Sequence, residues 1–404
     1  MVRSTRKAEA EVEEQEADQE VTQEIDEIEF FGEREARWYQ IAARNQVEVA
    51  LAAGKKRILV VAPTGSGKTL TSGLIFTSDK IRKTLGVKKG KTLRLLFIAH
   101  KHRLLSQAEQ VYAAAEDVEL ILQSAFMPIS DKLIEDGWHM TCLDEAHHEA
   151  MMSIQLQLER IGDMPLLGLT ATPDRADGML IKFEEIIQPI SREQAVKEGY
   201  LAPTQLYSFV DAPERDKTKI LKDMFTSYAN QMGQTMVFVR TKREVANINL
   251  FLQELGYHSM AITSQSEAEL DATLNRFSRK EFQFIVNCNK INEGVDVQFC
   301  ESVVLGRQFG SYPQLNQVIG RASRPDSDCR VWELINPLSG SNLDTTVVVG
   351  TPESHKLVYR LNGEWVEEKF DYAGGDDLEE FNKSGGSNVW GGVAGERTEF
   401  RRPT

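Results

Sequence analysis

The segment Ala62-Pro-Thr-Gly-Ser-Gly-Lys-Thr69 contains the residue types that bind phosphate groups. Its glycines allow successive backbone N–H groups to turn toward phosphate oxygens, while Lys68 can reach the β- and γ-phosphates and the Thr69 hydroxyl can bind magnesium. The segment follows the apolar run of residues 57–61 and precedes a run that is compatible with a helix. The general motif begins with glycine, and Ala62 stands in its place. We expect a nucleotide-binding loop whose candidate ligands are Pro63, Thr64, Gly65, Ser66, Gly67, Lys68 and Thr69.

A second segment, Leu143-Asp-Glu-Ala-His-His148, follows the apolar run of residues 139–143. Two adjacent carboxylates at a strand end can divide the work of hydrolysis: Asp144 would hold Mg²⁺, usually through water, and Glu145 would activate the attacking water. An isolated acidic pair at a strand end is more often a surface turn. Because this pair follows a phosphate-binding loop, the sequence predicts a nucleotide-hydrolysing site.

The tetrapeptide Asp-Glu-Ala-His after such a loop resembles that of the superfamily 2 helicases of the DEAH/DExH type. The resemblance implies ATP and Mg²⁺ as cofactors and Lys68 and Glu145 as catalytic residues. Residues 37–40 are similar to the family's adenine-recognising segment, although Trp38 replaces the usual proline. The further roles that the resemblance implies in this half are ATP binding by Arg37, Tyr39 and Gln40, nucleic-acid contact by Lys101, His102 and Arg103, and coupling of the ATP state to the strand by Thr170 and Thr172.

The second half of the chain resembles the same family. Residues 237–245 are similar to the fourth motif, residues 289–297 to the fifth, and residues 317–324 to the sixth. The roles that these motifs imply are nucleic-acid contact by Arg240, ATP binding by Gly294 and Asp296, catalysis by Arg321 and Arg324 at the γ-phosphate, and coupling through a contact of His147 with Gln317. Hydrolysis would then require both halves of the chain, because the arginines reach the phosphate from the second half.

Within the superfamily, the motif sequences are most similar to those of the branch of the type III restriction-enzyme helicase subunits and related DNA repair helicases. Residues 170–178 and 197–203 both resemble that branch.

Short apolar runs alternate with helical stretches over most of the chain. Such alternation is typical of parallel sheets with crossover helices. The alternation predicts an α/β fold of two units, and the resemblance implies that these are two tandem RecA-like domains, each a parallel sheet flanked by helices. The predicted divisions are an acidic, disordered arm (1–34), a first RecA-like, ATP-binding domain (35–200), a second RecA-like domain (201–340), and a β-hairpin with an acidic, glycine-rich, partly disordered tail (341–404). The hairpin is expected because Asn362-Gly363 suits a type I′ turn.

The net charge of −14 argues against a nucleic-acid partner until its distribution is considered. Residues 1–35 contain 4 basic and 13 acidic side chains, residues 362–404 contain 5 and 10, and the residues between them contain 38 of each. The body is therefore electrically balanced. Apolar residues at near-helical spacing could allow the acidic arm to dock as a short helix; they are Val21, Ile25, Ile28 and Phe31.

Two clusters of ionisable residues have open interpretations. Basic residues between positions 80 and 94 fit either a phosphate-contacting loop or a solvated connection. His139 and His148 fit a hydrogen-bonded or surface histidine better than a metal ligand. The cysteines are scattered singly, which predicts neither structural zinc nor disulfides; they are Cys142, Cys288, Cys300 and Cys329.

The sequence favours an ATP-dependent DNA helicase or translocase that acts in repair, recombination or replication. No run of about 18 apolar residues is present, so we expect no membrane contact and a cytoplasmic location. A protein partner could bind the acidic arm or the tail. The alternatives are an RNA helicase, the motor subunit of a restriction system, and an inactive nucleotide-binding scaffold, which the intact Glu145, Arg321 and Arg324 disfavour.

Overall fold

The computed structural model describes residues 29–100, 102–148, 151–172, 183–210, 217–288, 300–325, 328–335, 343–350, 352–361 and 363–369. Lys101, Gly294 and Asp296 lie outside the described residues, as do most of the acidic arm and the glycine-rich tail. The predictions made for these residues stay predictions.

The first sheet has six strands, and every pair of neighbours in it is parallel. In spatial order the strands are β5 (Val118–Ser124), β4 (Leu93–Ala99), β6 (Met140–Leu143), β7 (Leu166–Thr170), β3 (Arg57–Val61) and β8 (Glu185–Ile187). Alternate residues of β3 enter two different buried clusters, so both faces of the sheet are covered. This burial explains the continuous apolar runs in the sequence.

The helices of the first domain lie before the first strand of this sheet or between its strands along the chain. They are α1 (Trp38–Ala52), α2 (Lys68–Thr77), α3 (Asp79–Thr84), α4 (His102–Tyr112), α5 (Asp131–Asp136) and α6 (Met152–Ile161), and a short 3-10 turn covers Ala146–His148. None of the helices among the described residues is long and apolar enough to cross a bilayer.

The N-terminal approach to this domain is a two-stranded antiparallel ribbon, β1 (Phe30–Phe31) with β2 (Arg34–Glu35). The suggestion that Phe31 belongs to a docking helix is wrong, because Phe31 lies in β1. Its buried ring packs against Gly73 of α2, where a Cβ atom would lie 2.6 Å from the ring.

The second sheet has eight strands. In spatial order they are β11 (Ser259–Ile262), β12 (Phe284–Asn287), β10 (Thr235–Phe238), β13 (Ser302–Leu305), β14 (Cys329–Ile335), β9 (Thr204–Val210), β15 (Ser354–Leu361) and β16 (Glu364–Lys369). The described helices of this half are α8 (Lys217–Tyr228), α9 (Lys242–Glu254), α10 (Glu267–Ser278), α11 (Tyr312–Ile319) and α12 (Thr346–Val349). A 3-10 turn covers Ala229–Gln231.

The predicted hairpin is present as the antiparallel pair β15 and β16, and Gly363 has the positive φ of 88° that its turn requires. Strand β15 also pairs in parallel with β9. The hairpin therefore extends the second sheet. One helix, α7 (Arg192–Lys197), lies between the last strand of the first sheet and the first strand of the second.

Candidate nucleotide site between the two domains

The phosphate loop (residues 62–69) leaves the carboxyl end of β3 and enters α2 at Lys68. Gly65 and Gly67 have φ values of 89° and 85°, a conformation that other residues adopt only at a cost. Gly67 caps the helix, so the free N–H groups of its first turn lie at the loop. The candidate ligands Lys68 and Thr69 occupy that first turn. This arrangement suits the binding of an anion such as a nucleotide phosphate.

Ala62, where the general motif has glycine, is buried and lies at the end of the strand pairing. Its N–H donates to the Thr170 carbonyl over 3.0 Å, which continues the pairing of β3 with β7. The chain thus tolerates a methyl group at this position.

The segment predicted to recognise adenine, residues 37–40, forms hydrogen bonds with the backbone of the phosphate loop. The Tyr39 hydroxyl donates to the Ser66 carbonyl over 2.6 Å, and the Gln40 amide donates to the carbonyls of Ser66 and Gly67 over 3.2 and 3.4 Å. Arg37 bonds to both residues, through its guanidinium to the Tyr39 hydroxyl (3.0 Å) and through its N–H to Gln40 Oε1 (3.0 Å). In the structure the Gln40 amide therefore acts on the loop backbone, and its contact with adenine stays a prediction.

The acidic pair lies at the carboxyl end of β6. Asp144 is buried, its N–H donates to the Ile98 carbonyl over 3.0 Å, and its Oδ1 accepts the N–H of Glu145 over 3.0 Å. Glu145 has a φ of 50°, which is rare for a residue with a long side chain and indicates local strain. The loop and the acidic pair meet at one edge of the sheet because all its strands are parallel.

The two carboxyl groups have opposite pKa shifts. Burial raises the pKa of Asp144 to about 7, with a further rise from the neighbouring Glu145 charge, while the positive charge of Lys68 works against this rise. Burial also acts to raise the pKa of Glu145, but the charge of Lys68, followed by that of His147, brings it below its ordinary value. Glu145 is thus ionised at neutral pH, whereas Asp144 exchanges its proton near that pH.

The residues at this site fit a magnesium ion held jointly with a nucleotide. No group of three His, Cys, Asp or Glu side chains that could hold a metal alone is found in the described part of the chain. Mg²⁺ is commonly bound by one or two protein oxygens together with phosphates and water. Asp144 and the half-buried Thr69 supply such oxygens, and the buried Glu145 Oε2 accepts no hydrogen bond from the described residues.

Predicted coupling residues form a connected path from the acidic segment to the second domain. His147 Nδ1 lies 3.4 Å from Glu145 Oε2 and 3.2 Å from the Thr170 hydroxyl. The Thr170 hydroxyl donates to the Thr172 carbonyl over 2.8 Å. On its other side, His147 Nε2 lies 3.4 Å from Nε2 of Gln317. Since the Gln317 amide nitrogen can only donate, His147 Nε2 accepts and its Nδ1 carries the proton.

The phosphate loop also contacts the second domain directly. The Thr64 hydroxyl donates to Oδ1 of Asn316 over 3.3 Å. A Cβ atom on Gly320 would lie 2.3 Å from Cγ2 of Thr64, so only glycine permits this approach. No role was predicted from the sequence for Asn316 or Gly320. Gly320 lies inside the sixth motif, and that was the only signal for it.

The predicted catalytic arginines lie in the turn that follows α11, and we name residues 320–324 the arginine turn. Arg321 and Arg324 are both half-buried. Gly320 joins this turn to the phosphate loop, as described above. The turn therefore lies at the cleft between the domains.

Of the four residues predicted to contact nucleic acid, the structure describes the side chain of Arg240. Arg240 follows β10, its side chain is 79% exposed, and it lies 3.7 Å from Glu244. His102 and Arg103 begin α4, directly after β4. These positions share the carboxyl ends of parallel strands, and the contacts with nucleic acid stay predictions.

Two arginines of the basic cluster between residues 80 and 94 are held by contacts within the protein. The buried Arg82 donates to the carbonyls of Lys91 and Asp117 over 2.6 and 2.9 Å, and its guanidinium also lies 2.6 Å from the Asp117 carboxylate. Arg94 pairs with Glu119 at 3.1 Å. His139 accepts the N–H of Arg94 over 2.9 Å, as expected of a hydrogen-bonded histidine. For Arg82 and Arg94, these contacts favour the interpretation as a connection, and phosphate contact by the lysines stays a prediction.

Comparisons with known proteins identify the family of the chain. Residues 33–127 match the family described as type III restriction enzyme, res subunit, and residues 216–326 match the helicase conserved C-terminal domain. The chain belongs to the superfamily 2 helicases. This assignment confirms the resemblance seen in the sequence, including its relation to the restriction-subunit branch.

Individual relatives of this superfamily 2 chain are distant. It is 24% identical over 72% of its length to the type I restriction enzyme EcoAI endonuclease subunit of Escherichia coli, and 24% identical over 76% to the putative mitochondrial ATP-dependent helicase irc3 of Schizosaccharomyces pombe. The matches cover 44% and 58% of those proteins, so the chain spans about half the length of the curated relatives it matches.

A solved structure confirms the fold. The fragment structure of a putative HsdR subunit of a type I restriction enzyme from Vibrio vulnificus superposes with a TM-score of 0.65 at 21% identity. The match covers 82% of this chain and 70% of that one. The two tandem RecA-like domains predicted from the sequence are thus present.

Proposed function

We propose that the protein is an ATP-driven motor that acts on DNA. One observation carries the proposal: the path from Glu145 through His147 to Gln317 joins the candidate hydrolytic carboxylate to the second domain. An enzyme that only bound nucleotide would have no need of such a path. In a motor, the path would report the state of the nucleotide to the domain that moves.

ATP would bind with its phosphates on the loop of residues 62–69, and Mg²⁺ would be held by Thr69 and Asp144. When bound, the ion would neutralise charge on the phosphates. Lys68 would bind the β- and γ-phosphates, and Glu145 would orient and deprotonate the attacking water. Tyr39 and Gln40 would keep the loop in its binding conformation.

Charge that develops on the γ-phosphate would be stabilised from the second domain by Arg321 and Arg324. Hydrolysis would then require the domains to be closed, and product release would allow them to open. Candidate strand contacts at Lys101, His102, Arg103 and Arg240 lie on both domains, so opening and closing would change their spacing along the strand.

DNA is favoured over RNA because the chain is similar to restriction-enzyme subunits. The same similarity supports a second candidate, the motor part of a restriction system. In that case duplex DNA would stimulate hydrolysis more than single strands do. In either case we propose that the motor acts in the cytoplasm.

The proposal is tested by steady-state ATP hydrolysis at fixed low salt without polymer and with single-stranded DNA, duplex DNA, branched DNA or single-stranded RNA. Lys68→Ala provides the blank. We expect one of the DNA forms to stimulate hydrolysis, and that form would be identified as the substrate along which the motor moves. Stimulation by RNA alone would replace DNA with RNA, and hydrolysis no faster than the blank with every polymer would contradict the motor.

A further inference from the structure

The segment that joins the two sheets, residues 190–202, has no role in the function proposed so far. It contains α7, and its last residues belong to the 197–203 pattern noted in the sequence. One side of the segment packs on the first domain, where Ile190, Ala195 and Leu201 form a buried cluster with Tyr39. Leu201 also lies against the phosphate loop, since a Cβ atom on Gly65 would be 3.2 Å from its Cδ2. The joining segment thus lies directly behind the nucleotide site.

Polar and aromatic contacts fix this side of the segment further. The Trp38 indole N–H donates to Glu198 over 2.5 Å. The Tyr200 ring packs edge-on against Tyr39 with centroids 5.3 Å apart, and the Arg37 guanidinium lies 4.9 Å from the Tyr200 centroid. All three partners belong to the segment predicted to bind adenine.

The other side of the joining segment holds the second domain through Arg192, the first residue of α7. Its Nη2 donates to the Ser323 hydroxyl over 2.9 Å and to the Thr204 hydroxyl over 3.3 Å, and its Nε donates to the Val349 carbonyl over 3.3 Å. Nη1 is sealed from solvent without a hydrogen-bond partner among the described residues. The planar fork of arginine reaches three groups at once, which a lysine ammonium cannot reproduce.

Ser323 connects this contact to the arginine turn. It lies between Arg321 and Arg324, and its hydroxyl, which accepts from Arg192, donates to the Ile319 carbonyl over 3.0 Å. Its own carbonyl accepts the N–H of Ala202 over 3.2 Å. The joining segment therefore holds both the side chain and the backbone of Ser323. On its opposite side, the turn meets the phosphate loop at Gly320.

We propose that Arg192 is a positioning residue for hydrolysis, which acts through Ser323 to hold the arginine turn in register with the phosphate loop. The inference rests on the proposed ATPase function. Arg192 touches neither the loop nor the acidic pair in the described contacts. Its effect is on the position of Arg321 and Arg324, and Tyr200 of the same segment contacts Tyr39 in the segment predicted to bind adenine.

The test is the DNA-stimulated ATPase of Arg192→Lys, which keeps the charge and loses the fork. Displacement of a catalytic group by about 1 Å can cost a factor of roughly 100, so we expect kcat to fall about 10- to 100-fold. The KM for ATP should change less than about threefold, because the groups that bind the phosphates are untouched. A kcat within twofold of the parent protein would overturn the proposal.

A double-variant cycle separates positioning from general damage. If Arg192 acts through Ser323, then Arg192→Lys combined with Ser323→Ala should lose no more kcat than the more damaging single change. Losses that multiply would show that the two residues act independently, and the proposal would fall.

Two controls complete the design. Leu252→Ala truncates a buried side chain of α9 in the same domain, so it should lower the thermal midpoint and leave kcat unchanged at temperatures where it stays folded. A loss of kcat in Leu252→Ala that matched the loss in Arg192→Lys at equal destabilisation would mean that Arg192 serves stability alone. Glu193→Gln changes an exposed neighbour on α7 and should match the parent protein.

The outcome also distinguishes the two proposals. A parent protein without ATPase activity above the Lys68→Ala blank would remove the proposed function. An active parent protein with an equally active Arg192→Lys variant would remove only the positioning role.

Discussion

The phosphate loop and the arginine turn lie opposite each other in the cleft, yet they are held in different ways. The loop takes its shape from its own glycines and from the helix that begins at Lys68, and it is braced by Tyr39 and Gln40, fewer than 30 residues earlier in the chain. In the turn, the Ser323 hydroxyl donates locally to the Ile319 carbonyl, but it also accepts a hydrogen bond from Arg192, which is 131 residues away.

This difference separates what binds the nucleotide from what decides when it reacts. A loop fixed by local geometry is present whether the domains are together or apart. A turn fixed by distant contacts is in place only when the joining segment and both domains are in contact with it. We infer that nucleotide binding depends mainly on the first domain, whereas turnover depends on the connection.

The largest effect is expected from a change of Glu145, the candidate hydrolytic carboxylate of the first domain. Glu145→Gln keeps the shape of the side chain and removes its ability to accept a proton, so kcat should fall by roughly 10²–10⁴. Nucleotide affinity, measured with a fluorescent ATP analogue, should be retained. Glu159→Gln, an exposed change on α6, is the control. Near-normal turnover in Glu145→Gln would remove this residue from the mechanism.

A smaller but still large effect is expected where the two regions meet. Gly320→Ala places a methyl group 2.3 Å from Thr64 and must push the arginine turn off the loop. We expect kcat to fall about 10- to 100-fold, the range associated with displaced catalytic groups. Gly310→Ala is the matched control, because its nearest atom would be 4.0 Å away. If both variants hydrolyse ATP equally well, the close approach at Gly320 has no part in turnover.

The two regions also differ in how far the sequence predicted them. The loop and the acidic pair could be placed from the sequence because their chemistry requires particular residues at adjacent positions. Strands β3, β4, β6 and β7 could be predicted because parallel strands buried on both faces are continuously apolar. Edge strands such as β5 and β11 were not predicted, since their side chains are only half-buried and the apolar signal weakens.

The contacts of the arginine turn could not be predicted in the same way. Arg192 looks like any exposed first residue of a short helix, and Thr64, Asn316 and Gly320 meet only after two domains have folded and docked. Pairings across more than 100 residues leave no periodicity in one sequence. The basic cluster near Arg82 illustrates the converse, because a run of charges does not reveal which of them are satisfied internally.

A moderate effect is expected along the path between the domains. Gln317→Ala removes the amide that reaches His147, and it should reduce stimulation of hydrolysis by DNA about three- to tenfold, with less change in hydrolysis without DNA, as is usual for the loss of one hydrogen bond. His147→Ala should do the same, and the double variant should be no worse. Additive losses would show that the contact at 3.4 Å does not carry the coupling.

The smallest effect is expected at the brace of the phosphate loop. Tyr39→Phe removes only the hydroxyl that donates to Ser66, and a net hydrogen bond is worth about 1 kcal/mol, so the KM for ATP should rise about fivefold while kcat changes little. The control is Tyr112→Phe, which loses a hydroxyl that donates to Ser72 on α2, the helix that follows the phosphate loop. An unchanged KM in Tyr39→Phe would mean that the loop needs no bracing from this residue.

The most direct test of the account is to measure nucleotide affinity and DNA-stimulated turnover together in Arg321→Ala. If the second domain supplies charge to the reaction and little to binding, the affinity should stay within about threefold while kcat falls by roughly a thousandfold or more, as expected for an arginine that stabilises phosphoryl transfer. Turnover near that of the parent protein would contradict the claim that hydrolysis requires both domains.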